Sequence, residues 1–149
     1  MKSIFDTATR AEILNRIDNL NQGSKPAWGQ MTVTMMVKHC VLCEEYYHGH
    51  FLVDRSFLGR LIGKMAIRKL LKDDQSMLQK NAPTSSQFKV VNEIENLGLE
   101  KEKWKFLVEQ YSSFNKEYFN HWFFGKMSME QLGQFIYKHC DHHLRQFRS

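Results

Sequence analysis

The sequence predicts an all-α fold, a helical bundle of four main helices with one long crossover connection. Three observations carry this expectation. Apolar residues recur at three- and four-residue spacing in several long stretches, no stretch alternates as a half-buried strand does, and residues 73–97 lose the helical period around a proline and a serine pair. With 149 residues, 42% hydrophobic and 13% aromatic, the chain has enough apolar surface for one core, so a single domain over 1–149 is expected.

The elements follow in order. Asp6 or Thr7 can cap a first helix with Ile13, Ile17 and Leu20 on one stripe, and "NQGSKPAWGQ" breaks it with Gly, Ser and Pro. Thr32 is the expected cap of a second helix running to about Tyr47, with Val33, Met36, Val37, Cys40, Val41 and Tyr47 facing the core and Gly49 as its stop. Ser56 opens a third segment, "FLGRLIGKMAIRKLLK". Its expected apolar face is Phe57, Leu58, Leu61, Ile62 and Met65, interrupted by Gly59 and Gly63. Residues 73–97 read as a long crossing connection with room for a turn of helix, of a length that is often functional or wraps an edge of the fold. "LEKEKWKFLVEQYSSFNKEYF" restores the period, with Trp104, Leu107, Val108, Tyr111, Tyr118 and Phe119 on one face. "NHWFFGKM" reads as a loop with exposed aromatics, and Ser128 with Gln131 forms a capping box that opens the last helix, through about Phe147.

Composition excludes several classes of function. No run of eighteen apolar residues is present, so nothing spans a membrane and no membrane partner is expected. The first residues lack an apolar secretory core, which gives a cytoplasmic expectation. Cys40, Cys43 and Cys140, an odd number, suit reduced thiols rather than a disulfide framework. The net charge of +5 is a mild excess, but no acidic residue occurs from Arg55 to Lys72, and Arg60, Lys64, Arg68 and Lys72 recur every fourth position. That stripe reads as a solvated helix face, with an acidic ligand or nucleic acid as the sharper alternative. No nucleic-acid motif accompanies it, so nucleic acid is not an expected partner.

The chemistry concentrates in "KHCDHHLRQF", residues 138–147. On a helix, Leu132, Phe135, Ile136, His139, His143 and Gln146 share the inward face, His142 sits at its edge and Asp141 points away. Imidazoles at i and i+4 can converge on one metal ion, and His39 of the second helix can reach the same point, leaving a coordination position open for chemistry. Cys43, four residues after His39, is an alternative fourth ligand that closes the site as a structural staple. "CVLC" lies mid-helix with no strand before it, which argues against a redox motif. Gln146 and Tyr46 are candidates for hydrogen bonds that orient the ligands. His48, His50 and His121 fall in expected loops, where exposure is the default; His121 and His142 are retained as outer members of the candidate site. Glu44 and Glu45 are the nearest carboxylates.

"KPAWGQMTVTMMVKHC", "NAPTSSQF", "HWFFGKMS" and "YKHCDHHLRQF" together resemble the DinB/YfiT-like superfamily, in a branch classed as a domain of unknown function. The resemblance covers nearly the whole chain. It implies a four-helix bundle whose second helix supplies one histidine and whose last helix supplies an HxxxH pair to a divalent metal, here His39, His139 and His143. It also implies homodimers and, in some relatives, metal-dependent transfer of low-molecular-weight thiols such as bacillithiol, mycothiol or glutathione. Trp122 stands where related loops commonly read "HPFFG". The function expected from residues and resemblance together is a metal-dependent S-transferase using zinc or nickel on a small-molecule substrate. Hydrolysis by a metal-activated water ranks behind it, and a non-catalytic, metal-stabilised, stress-associated binding module is the alternative.

Overall fold

The computed structural model describes all 149 residues. The chain is mostly helical, with helices α1 (Thr7–Asn19), α2 (Val33–His48), α3 (Phe57–Leu70), α4 (Leu97–Glu109) and α5 (Met129–Gln146). A short antiparallel hairpin, β1 (Tyr118–His121) and β2 (Gly125–Ser128), precedes α5. One hydrophobic cluster runs from Ile4 to Phe147. Helix α4 packs on α2 and α1, α5 packs on α1, α2 and the hairpin, and α3 leans on β2 outside this group.

Capping chemistry sets most helix starts. Thr32, Ser56 and Asn96 each accept a backbone N–H of the first turn, and the capping box at Ser128 and Gln131 is formed in both directions. Gly49 ends α2 in the left-handed region at φ 87°. Asp6 precedes α1 without capping it by its side chain; its carboxylate accepts from the Ser3 N–H instead. The expected inward residues of α1, α2 and α5 are buried.

Three expectations are corrected. The helix read over 99–119 stops at Glu109, passes through a 3₁₀ turn at Gln110–Ser113, and gives way to β1. The segment "NHWFFGKM" is no loop of exposed aromatics but most of the hairpin, with Phe124 buried and Trp122 and Phe123 half-buried. Phe119 and Met127 pair across its inner face, while Lys126 Nζ lies 4.1 Å from the Tyr118 ring on its outer face. An aromatic pair at 118 and 119 fits a short strand as well as a helix end, and the left-handed Gly125 (φ 81°) closes a three-residue loop that only the strand solution uses.

The third correction concerns α3, whose expected core face of Phe57, Leu58, Leu61, Ile62 and Met65 is exposed. Gly59 and Gly63 are buried instead. A Cβ on Gly59 would lie 2.4 Å from the Phe123 carbonyl oxygen, and one on Gly63 would lie 2.2 Å from it. Only glycine lets the helix backbone rest on the hairpin turn, so the glycine stripe, not the apolar one, chooses the inward side.

The crossing connection carries one 3₁₀ turn, Ser86–Phe88, and is fastened to the last helix. Lys138 Nζ donates to the carbonyls of Asp73 (2.8 Å) and Ser76 (2.6 Å). Phe88 is buried against Tyr46, Phe51 and Trp122.

Candidate metal centre

Helix α2 presents His39 and Cys43 one turn apart on a buried face, and α5 presents His139 and His143 opposite them. The His39 ring centre lies 5.5 Å from that of His139 and 4.9 Å from that of His143, and the last two are 4.8 Å apart. The spacing-selected trio is therefore clustered. A group of potential ligand atoms that all lie within 4.8 Å of one another belongs to His39, Cys43 and His139, and does not include His143. Cys43 Sγ stands 3.7 Å from His39 Nε2.

Two rings are held in a defined tautomer. His39 Nδ1 donates to the Phe88 carbonyl at 2.8 Å, which leaves Nε2 as the free base. Gln146 Nε2 donates to the Trp28 carbonyl at 2.8 Å, so its Oε1 faces His143 Nδ1 at 3.0 Å as an acceptor. His143 Nδ1 therefore carries the proton and its Nε2 is also free. A backbone carbonyl or amide oxygen on the far nitrogen is the usual support of a metal-binding imidazole. His139 has no such support: its Nδ1 is buried without a partner.

The electrostatics favour neutral imidazoles. Burial pushes the pKa of His39 down, and those of His139 and His143 well down, with repulsion from neighbouring histidines adding to the last two. The neutral ring is the form that binds metal. An orphaned buried nitrogen costs about 1–3 kcal/mol. This donor set, with free Nε2 atoms and an unsatisfied Nδ1, could hold a metal ion.

The outer candidates have separate fates. Gln146 is placed against His143, whose Nδ1 lies 3.0 Å from its Oε1. The Tyr46 hydroxyl does not reach His39; it accepts the Trp122 N–H at 2.8 Å and donates to the Asn120 carbonyl at 3.2 Å, tying α2 to the hairpin. His121 is buried in β1 rather than exposed, and its Nδ1 accepts the N–H groups of Phe123 and Phe124 at 3.1 and 3.2 Å. Burial, then Arg55, pushes its pKa down to about 3. It is a hairpin anchor near the site. His142 is buried, its ring centre 5.5 Å from that of Trp28 and 5.1 Å from that of His143. His48 belongs to α2, donates or accepts nothing at the trio, and bonds the Leu107 carbonyl instead.

The acids turn elsewhere. Glu44 is fully buried, hydrogen-bonded to Tyr111, and contacted by the Cys140 thiol at 3.3 Å; burial raises its pKa to about 7. Glu45 pairs with Lys103, and Asp141 with Arg16 of α1 at 2.8 Å. The three thiols are free and buried, with pKa values pushed well up by burial. Sequence reasoning missed the Phe88 and Trp28 carbonyls. Backbone oxygens carry no residue-type signal, and the only hint was that "NAPTSSQF" and "KPAWGQ" abandon the helical period.

No curated protein matches the chain, and no solved structure does. A family model matches residues 4–149, from the start of the hydrophobic cluster to the chain's last residue. The chain therefore belongs to the family described as "Protein of unknown function (DUF1569)".

Proposed function

We propose that the protein is a metal-dependent enzyme of the S-transferase type, with His39, His139 and His143 as ligands of a zinc or nickel ion. The observation that carries this reading is the pair of anchored rings, His39 on Phe88 and His143 on Gln146, each with Nε2 left free beside His139. The packing of α1, α2, α4 and α5 on one another supports the four-helix bundle of the DinB/YfiT-like kind. When bound, the metal supplies Lewis acidity that favours the thiolate of a small thiol.

The chain's own residues do the rest. They offer neutral imidazoles, hold two of them in the metal-binding tautomer, and bury the donor set among apolar and aromatic side chains. No carboxylate is free on this face, because Glu44, Glu45 and Asp141 are engaged with Tyr111, Lys103 and Arg16. Activation of the bound nucleophile therefore falls to the metal, which lowers the pKa of a bound thiol as it does that of a bound water. The small-molecule substrate and the cytoplasmic location accompany this reading from the sequence, and the homodimer from the resemblance.

A second reading is favoured by one distance, the 3.7 Å from Cys43 Sγ to His39 Nε2. With Cys43 as fourth ligand the site is closed, and the metal only ties α2 to α5. Metal analysis of the wild type beside His39→Ala and His143→Ala tests the first reading: stoichiometric zinc or nickel lost in both variants supports it, and a wild type that takes up no metal after reconstitution defeats it. X-ray absorption separates the two readings, since a sulfur ligand marks the closed site. A panel of small thiols with a generic electrophile then tests the transfer itself.

A further inference from the structure

We infer that the outward face of α3 docks the protein onto an anionic membrane surface, lying in the headgroup plane without crossing it. No helix is long and apolar enough to cross a membrane. The sequence-based expectation of no membrane partner rested on the lack of such a span, which an interfacial helix does not need.

Half of the large apolar side chains left exposed by the fold fall between residues 52 and 65: Leu52, Phe57, Leu58, Leu61, Ile62 and Met65. Phe57, Leu61 and Met65 are 78%, 68% and 67% exposed. Their outward direction is forced, because Gly59 and Gly63 must lie on the Phe123 carbonyl. A patch of this kind marks an interaction surface.

Charge identifies the partner. Arg60, Lys64, Arg68, Lys69 and Lys72 are all partly or fully exposed, none is in an ion pair, and no acid interrupts residues 55–72. Other basic residues of the chain are also without an ion pair, and what sets this row apart is that it lies beside the exposed apolar stripe with no acid between residues 55 and 72. Unpaired basic residues beside projecting Phe, Leu and Met side chains are the composition of a helix that inserts its apolar groups among acyl chains and sets its cations on anionic headgroups. Shape agrees. The face is the convex side of one helix, which suits a deformable plane. A two-fold contact with a second copy would set two unpaired basic rows in one interface, which is repulsive.

The test is co-sedimentation of the full chain with vesicles of equal parts phosphatidylglycerol and phosphatidylcholine, against phosphatidylcholine alone. Binding to the anionic vesicles only, weakened by salt, is expected. The double variant Leu61→Glu, Met65→Glu and the triple variant Lys64→Gln, Arg68→Gln, Lys72→Gln should each bind on the order of a hundredfold more weakly. All five side chains project from the surface, so the wild-type circular dichroism and melting temperature should be retained. The inference is overturned if the wild type stays in the supernatant at low salt, or if the Glu variant binds as well as the wild type. It is also overturned if the protein is a dimer that this variant makes monomeric, since a second copy then covers the face.

Discussion

Helices α3 and α5 both open on a serine cap and both repeat apolar residues at three- and four-residue spacing, yet α5 turns that stripe into the core while α3 turns it to solvent. The difference lies in what each helix must approach. The inward face of α5 meets side chains of α1, α2 and the hairpin, which accommodate Leu132, Phe135, Ile136 and Leu144. The inward face of α3 meets a backbone carbonyl at a distance that excludes even a methyl group. A pair of glycines four apart thus outranks a larger apolar stripe, because steric overlap rises faster than hydrophobic burial gains.

The contrast can be broken or sharpened by measurement. The largest effect is expected for Leu132→Ala, which empties a fully buried site on α5 and should cost about 2–5 kcal/mol in denaturant unfolding. Next is the α2 carboxyl that faces α5 through Cys140. The pKa of Glu44 is raised to about 7 on folding, so its favourable contribution is complete below the ordinary carboxylate value of 4.5 and is lost as pH rises through 7. The stability of the wild type relative to Glu44→Gln should therefore fall by about 3 kcal/mol between pH 4.5 and 8. The buried histidines work oppositely, losing stability as pH falls below 6.5, which is why the variant is the reference.

Gly63→Ala should cost about 1–3 kcal/mol by lifting α3 off Phe123, although alanine favours helices. Gln146→Ala should weaken metal binding by roughly 10–100-fold while leaving the fold intact, as measured by competition with a chelating dye. The smallest effect closes the comparison: Leu61→Ala, the same kind of truncation as Leu132→Ala on a helix of similar pattern, should shift stability by no more than about 0.5 kcal/mol. A cost like that of Leu132→Ala would mean that α3 buries its apolar face in solution.

The clustering of the candidate ligands was more legible than the fold around it. His139 and His143 follow from a four-residue interval on a helix, and Gln146 from the next turn of the same face. His39 needed its own helix to be read correctly, which its stripe of Met36, Val37, Cys40 and Val41 allowed. Tyr46 shares that helix but points its hydroxyl at a hairpin that short-range periodicity cannot reveal, because two four-residue strands leave too few alternations to count. His121 was assigned to a loop for the same reason, and its burial follows from the pairing of β1 with β2.

By itself, then, the sequence determined the helices with periods of their own, α1, α2, α3, α5 and the beginning of α4, and the serine or threonine caps of α2, α3 and α5, together with the histidines they carry. These are local matters, settled by hydrogen bonds within four residues and by the side of a helix on which apolar groups fall. Only the tertiary structure decided where α4 gives way to a strand, which side of α3 turns inward, and which carbonyls fix His39 and His143. Each of those depends on a backbone group distant in the chain, and backbone groups are the same at every residue, so no pattern of side chains announces them.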